Sequence, residues 1–204
     1  MIGIINYGSG NINAIANIHK RFEIPFMLVN KPDDLDQCSK LILPGVGDFD
    51  ETMRLLTESG LKAGLNQYVL EKKLPIIGFC VGMQIMGFKS EEGSNEGFGW
   101  IPGNIKKLDI NSLERKPYLP HMGWNTINIK QDHLLFDGLS HVDGFYFLHS
   151  YYFECRDSTN ILSTTNYGNP FPSVVRHENI FGIQFHPEKS HENGMQIFRN
   201  FSKL

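Results

Sequence analysis

Hydrophobic positions along the chain change period in a regular way. Ile2 to Tyr7 is a short, nearly unbroken apolar run that stops at Gly8-Ser-Gly-Asn11, after which Ile12, Ile15, Ile18 and Phe22 recur at helical spacing. That switch predicts a buried strand followed by an amphipathic helix. Phe26 to Val29 and Leu41 to Leu43 are further strand candidates, and helical spacing returns with Phe49, Met53 and Leu56 and again with Leu61, Leu65, Tyr68 and Val69. Pro75 to Phe79 reads as a strand and Val81 to Phe88 as the helix after it. Apolar strands separated by helices imply a mostly parallel sheet with helices on both faces. From about Trp100 to Phe185 the runs become short, β-branched and aromatic, and Phe145, Phe147, His149, Tyr151 and Phe153 alternate as on one face of a strand. Met195, Phe198 and Phe201 predict a closing helix. No repeat or flexible linker interrupts the pattern, so the expectation is one α/β domain over residues 1–204 with a β-rich second half.

Composition narrows this picture by exclusion. With 204 residues, 41% hydrophobic and 20% charged, the chain is an ordinary globular one, and its net charge of −3 argues against nucleic acid as a partner. The N-terminus lacks the basic start of a signal peptide, and no apolar stretch approaches a membrane span. Three cysteines, Cys38, Cys80 and Cys155, make an odd set without framework spacing, which favours a reducing, cytoplasmic setting. No metal cluster or cofactor motif emerges. Gly8-Ser-Gly-Asn11 joins a strand to a helix, but Asn13 stands where a dinucleotide loop needs its third glycine.

The chemistry concentrates at two strand ends. Cys80 lies in Gly78-Phe-Cys-Val-Gly82, where flanking glycines suit a sharp strand-to-helix turn that lifts a nucleophile above the sheet edge. A cysteine at a helix N-terminus is well placed to react, although a single cysteine after a strand is more often inert packing. His186 follows the run Ile180 to Phe185, and Glu188 stands two residues on across Pro187. A cysteine nucleophile needs such a base, held in one tautomer by a carboxylate. Each piece alone is weak; the elbow and His-x-Glu together predict a Cys80–His186–Glu188 triad. The remaining histidines, His19, His121, His133, His141, His149, His177 and His191, read mostly as surface or interface residues.

Gly78-Phe-Cys-Val-Gly-Met-Gln84 together with Gln184-Phe-His-Pro-Glu-Lys-Ser190 resembles the class I, triad-type glutamine amidotransferases. Within them the chain is similar from end to end to the glutaminase subunits of imidazole glycerol phosphate synthase, on Asn6-Tyr-Gly-Ser-Gly-Asn11, Leu43-Pro-Gly-Val-Gly47, Leu119-Pro-His-Met-Gly-Trp-Asn125 and Leu148-His-Ser-Tyr151. The resemblance implies a flavodoxin-like fold and a glutaminase that needs no cofactor. Cys80 would attack the glutamine side-chain amide, form a glutamyl thioester and release ammonia. The backbone N–H groups of Val46 and Val81 would form the oxyanion hole. Gly45, Gln84, Glu92, Ser150 and Tyr151 would bind glutamine, Glu92 through the α-ammonium.

The same resemblance implies a (βα)8-barrel cyclase subunit as heterodimer partner, receiving the ammonia to make imidazole glycerol phosphate and an aminoimidazole carboxamide ribotide in histidine biosynthesis. Asn11, His121, Met122, Gly123, Trp124, Asn125, Tyr146 and Lys189 would meet it. One departure opens a second acceptor. The elbow reads Phe79-Cys-Val81 where histidine-pathway subunits usually have Ile or Val and then Cys-Leu. Close paralogues with Cys-Val-Gly-Met-Gln supply ammonia to an acetamidino sugar of surface polysaccharide. A stand-alone γ-glutamyl hydrolase shares the elbow logic but has no use for Pro120-His-Met-Gly-Trp-Asn125, and a non-enzymatic relative would not need an intact Cys80, His186 and Glu188.

Overall fold

Strands and helices alternate through the first eighty residues as the spacing predicts. They run β1 (Ile2–Ile5), α1 (Ile12–Arg21), β2 (Phe26–Val29), β3 (Lys40–Leu43), α2 (Phe49–Glu58), α3 (Leu61–Asn66) and β4 (Ile76–Phe79), with α3 continuing as a π-helical turn over Gln67–Glu71. The computed structural model describes all residues except 110, 112, 114–118 and 141, so His141 lies outside the described residues. Beyond β4 come α4 (Val81–Gln84), β5 (Gly103–Lys107), β6 (His121–Asn125), β7 (Asn128–Ile129), β8 (Phe145–His149), β9 (Tyr151–Cys155), β10 (Ile161–Tyr167), β11 (Asn169–His177), β12 (Ile180–Ile183) and α5 (His191–Lys203).

One eight-stranded sheet forms the centre, in the order β2-β1-β3-β4-β12-β11-β10-β7. Every pairing from β2 to β12 is parallel, and β11, β10 and β7 extend the sheet antiparallel. The first five strands wind as 2-1-3-4-5, the flavodoxin-like order, with chemistry expected outside the carboxyl ends. Period-two alternation feeds two cores. Ile5, Leu41, Leu43 and Ile76 pack toward α2 and α3, with Phe49, Met53, Leu56 and Leu65. Ile4, Ile42, Ile77, Phe79 and Ile183 pack toward α1 and α5, with Ile15, Ile197, Phe198 and Phe201. Burying both faces explains why the strands read as continuous apolar runs. Among the described residues no helix is long and apolar enough to cross a membrane.

Two elements differ from the sequence reading. The helix after Cys80 is a single turn, Val81–Gln84, and does not reach Phe88. The carbonyls of Ile85, Gly87 and Met86 accept from the N–H groups of Phe98, Gly99 and Ile101, so a returning loop takes bonds a longer helix would need. The aromatic alternation over 145–153 is likewise two strands. β8 pairs with β6, β9 pairs with β5 in a separate ribbon, and Ser150 is the break between them.

Candidate active site

Cys80 ends β4 in a conformation few side chains adopt, φ 52° and ψ −113°. Such a backbone costs about 1–3 kcal/mol and persists only when its surroundings impose it. They do so here from both sides. The Cys80 N–H donates to the Ile183 carbonyl at 2.8 Å, tying the elbow to β12. On the other side, a Cβ on Gly82 would stand 2.1 Å from the Leu43 carbonyl oxygen, and one on Gly45 would stand 2.3 Å from the Gly82 nitrogen. These glycines let the end of β3 press on α4, and the Pro44-Gly-Val-Gly47 segment is thereby set beside Cys80. The same segment is held from the loop after β1: the Tyr7 hydroxyl donates to the Pro44 carbonyl at 2.7 Å and the Ser9 hydroxyl to the Val46 carbonyl at 2.8 Å.

Parallel pairing of β4 with β12 puts Phe79 opposite Ile183, so His186, three residues on, comes over the same edge. Its N–H donates to the Tyr146 carbonyl at 2.9 Å, and the Ser190 hydroxyl donates to its carbonyl at 2.6 Å. The ring shares the cavity wall with Cys80, whose sulfur faces the Leu148 carbonyl at 3.7 Å, and its Nδ1 lies 2.8 Å from Glu188 Oε1. Burial alone would lower the imidazolium's pKa, but the neighbouring Cys80 and Glu188 outweigh it and carry the ring up to about 10. Burial likewise works to raise Glu188, yet His186 and Asn11 hold its carboxyl below the usual range. The Asn11 amide donates to the same Oε1 at 2.6 Å, while Oε2 is buried with no partner among the described residues. The three predicted triad residues thus form one buried cluster.

Above it opens a cavity of about 460 Å3, lined by Asn11, Val46, Gly47, Cys80, Val81, Gln84, Glu92, Pro120, Leu148, His149, Ser150, Tyr151, His186 and Lys189. Val46, Val81, Gln84, Glu92, Ser150 and Tyr151 thus share one cavity lining with Cys80. Gly45 is not in the lining; it packs against Gly82 instead. The Gln84 amide donates to the Tyr151 carbonyl at 3.0 Å and to Gln184 Oε1 at 3.2 Å, so the protein already fixes its orientation. Glu92 Oε2 accepts from the Phe49 N–H at 3.0 Å, at the N-terminus of α2. Burial pushes its carboxyl pKa up, and Asp48 and Asp50 add to the effect.

The residues expected at a partner surface divide. Met122 and Trp124 project outward, 63% and 51% exposed, with Lys189 also exposed and Tyr146, Gly123 and Asn125 half-buried. Trp124 stacks on His191 and meets Tyr146 edge-on. His121 corrects the expectation: it is buried on the inner face of β6, because successive strand residues alternate in direction. His19 and His149 are buried too, against the reading that such histidines lie at the surface. Asn11 is at the cavity wall, bonded to Glu188. Sequence reasoning missed Gln184, whose amide sits 3.9 Å from the Cys80 sulfur, and His149, which lines the cavity. The Gln184-x-His186 spacing on one strand end was the available signal.

A cysteine on a strained elbow, a histidine and a carboxylate at the carboxyl edge of a flavodoxin-like sheet are the frame of an α/β enzyme. Residues 4–204 match the family model for glutamine amidotransferase class-I. The chain is 46% identical over 204 residues to "Imidazole glycerol phosphate synthase subunit HisH" of Leptospira borgpetersenii, and 44% identical to the same-named chain of Leptospira interrogans, covering 100% of each pair. A chain named subunit HisH 2 of Pseudomonas aeruginosa is 43% identical, again over 100% of both. Among solved structures, PurLQS from Thermotoga maritima shares the fold with a TM-score of 0.71 at 16% identity, covering 99% of this chain and 97% of that one. The glutaminase domain of Trypanosoma brucei CTPS does so at 0.60 and 14%, covering 99% and 93%. The chain belongs to the class-I glutamine amidotransferases and, within them, to the family of imidazole glycerol phosphate synthase subunit HisH.

Proposed function

We propose that this chain, acting as one domain over residues 1–204, is the cytoplasmic glutaminase subunit of imidazole glycerol phosphate synthase. It hydrolyses glutamine to glutamate and ammonia and passes the ammonia to a docked (βα)8-barrel cyclase subunit in histidine biosynthesis. The observation that carries the reading is the buried Cys80–His186–Glu188 cluster beneath a cavity of suitable size for one amino acid.

The chemistry follows from this geometry. Cys80 sulfur, having passed its proton to His186 Nε2, attacks the carboxamide carbon. The oxygen that gains negative charge is met by the N–H of Val81 at the start of α4 and by that of Val46 on the opposing segment. His186 returns its proton to the departing nitrogen, which leaves as ammonia and gives a glutamyl thioester. A water that loses its proton to the same imidazole then releases glutamate. Glu188 keeps the Nδ1–H tautomer throughout and stabilises the imidazolium. Gln84, Glu92 and the 150–151 backbone bind the amino-acid end of glutamine, with Gly45 supporting α4 from behind.

Met122, Gly123, Trp124 and Asn125, with Tyr146 and Lys189 at the rim, form the surface on which the cyclase docks. Exposed Met and Trp beside one another suit the centre of an interface. The test is glutamate release with and without the cyclase subunit and its ligand: slow turnover alone and strong acceleration in the complex are expected. Fast turnover by the chain alone would refute the docked reading. The Phe79-Cys80-Val81 elbow supports a second acceptor, an acetamidino-sugar amidotransferase. Acceleration by that enzyme and not by the cyclase would select it.

A further inference from the structure

His121 and His149 are register partners across the β6–β8 pair, and both are buried. His121 Nδ1 lies 3.0 Å from His149 Nε2, so one of the two nitrogens carries a proton and the other accepts. Burial pushes His121 down to about 4 and His149 down to about 3, so both rings are neutral at neutral pH. The ends of the chain decide which way the bond runs. His149 Nδ1 is 2.8 Å from the Tyr151 carbonyl, which can only accept; its Nδ1 is protonated and its Nε2 accepts.

At the other end, the Asn125 amide is oriented by the Thr126 N–H donating to Oδ1 at 2.8 Å and by Nδ2 donating to the Asn166 carbonyl at 2.9 Å. The second hydrogen of Nδ2 faces His121 Nε2 at 3.2 Å, which must accept it. His121 therefore carries its proton on Nδ1 and donates to His149. The two ends, assigned separately, require the same direction. The Tyr151 carbonyl that terminates the chain also receives the Gln84 amide, and both residues line the cavity above Cys80. The outer face of β6, beside His121, carries the exposed Met122 and Trp124.

We propose that His121 and His149 are positioning residues for glutamine: the one-way chain Asn125 to His121 to His149 to the Tyr151 carbonyl fixes the cavity wall at residues 149–151 and ties it to the strand that bears the outward Met122 and Trp124. This rests on the glutaminase reading. The competing account is packing alone, since His121 stacks on Phe147 and Tyr167 at 4.8 and 4.1 Å. Two substitutions separate the accounts. His121→Phe keeps a stacked ring and removes both hydrogen bonds, whereas His121→Asn keeps a donor near the Nδ1 position and gives up the stacking.

In the complex with the cyclase subunit, His121→Phe is expected to raise the glutamine KM about five- to tenfold, the effect of losing one or two hydrogen bonds, with kcat within about twofold. His121→Asn is expected to return KM to near the wild-type value although its melting temperature falls. A wild-type KM in His121→Phe, or a KM in His121→Asn as high as in His121→Phe, overturns the proposal. Long-range 15N NMR supplies a readout independent of turnover: both rings are expected as Nδ1–H tautomers at pH 7, and an Nε2–H tautomer on either overturns the chain. A wild-type complex that releases no glutamate would instead overturn the glutaminase reading, while the NMR result would still judge the chain.

Discussion

Replacing Glu188 by Gln tests the triad through a contact that only the structure reveals. The substitution keeps Oε1 as an acceptor for His186 Nδ1–H at 2.8 Å and for the Asn11 amide at 2.6 Å. Oε2, buried and without a partner among the described residues, becomes an amide nitrogen with two donors. If the new side chain keeps its oxygen toward His186, the tautomer is preserved and only the charge is lost. A charge-assisted hydrogen bond exceeds a neutral one by about 1–2 kcal/mol, which at the transition state is roughly 5- to 30-fold in kcat. If the amide flips, its nitrogen faces Nδ1, the ring takes the wrong tautomer, and the loss approaches the ~10⁴-fold known for the Asp-to-Asn change in serine proteases.

Asn11 decides between these outcomes, because a flipped amide would set two donors against each other. Asn11 stands at the N-cap of α1, yet its side chain makes no cap hydrogen bond, so truncating it does not uncap the helix. Asn11→Ala alone should lower kcat by roughly 10- to 100-fold, the loss of one charge-assisted bond. The double variant should fall well below the product of the singles, since it frees the flip. The assay is glutamate release by the complex with the cyclase subunit, with melting temperatures as a check on folding. Glu188→Gln within twofold of wild type, or a double variant equal to the product of the singles, would refute this reasoning.

Other perturbations probe separate parts of the molecule. Cys80→Ala should abolish glutamine-dependent synthesis by the complex while ammonia-dependent synthesis by the cyclase persists, and residual glutaminase activity would remove Cys80 from its role. Gly82→Ala drives a Cβ to 2.1 Å from the Leu43 carbonyl oxygen, so it should destabilise by about 3 kcal/mol or more; an unchanged denaturation midpoint would contradict that packing. Trp124→Ala should weaken cyclase binding by roughly 30-fold, as truncation of a central aromatic does, and unchanged affinity by calorimetry would move the interface elsewhere. His121 and His149 have folded pKa values below the unfolded value near 6.5, so the unfolded chain takes up protons first as pH falls. Their neutrality therefore costs stability as pH drops from about 6.5 toward 4, by about 1.4 kcal/mol per pH unit for each ring. His121→Phe should flatten urea-derived stability over that window relative to wild type, and parallel curves would speak against a neutral buried ring.

Much of the site was legible because its residues obey short-range rules. Cys80 needs small neighbours at its elbow, and Gly78 and Gly82 announce the turn. His186 and Glu188 sit two apart after an apolar run. What escaped depends on pairings distant in sequence. Nothing in the alternation over 145–153 marks Ser150 as a break, because period two continues through it while the strand changes partners from β6 to β5. Asn11 and Glu188 are 177 positions apart, and their bond exists only because β1 and β12 deliver both to one sheet edge. His121 and His149 looked like surface residues because histidine carries no burial signal of its own; their aromatic neighbours on a half-buried strand were the clue.

The site's connections to its rim bear on how docking would be felt at the sulfur. Two of the three triad residues are one hydrogen bond from a group near the proposed docking surface: Glu188 through Asn11, and His186 through the Tyr146 carbonyl, whose own side chain meets Trp124. The Val46 carbonyl is held by the Ser9 hydroxyl of the loop that precedes Asn11. Such bonds have only modest net worth individually, about 1 kcal/mol, so an interface of ordinary affinity exceeds the energy needed to rearrange several of them. The core beneath is close-packed and resists such shifts, as the 2.1 Å approach to Gly82 illustrates. A partner that presses on β6 and the 8–11 loop would therefore reset the rim residues against a fixed elbow. Cys80 would then stay in place, and the groups proposed to serve it, the Val46 amide and the His186 ring, would be what docking adjusts.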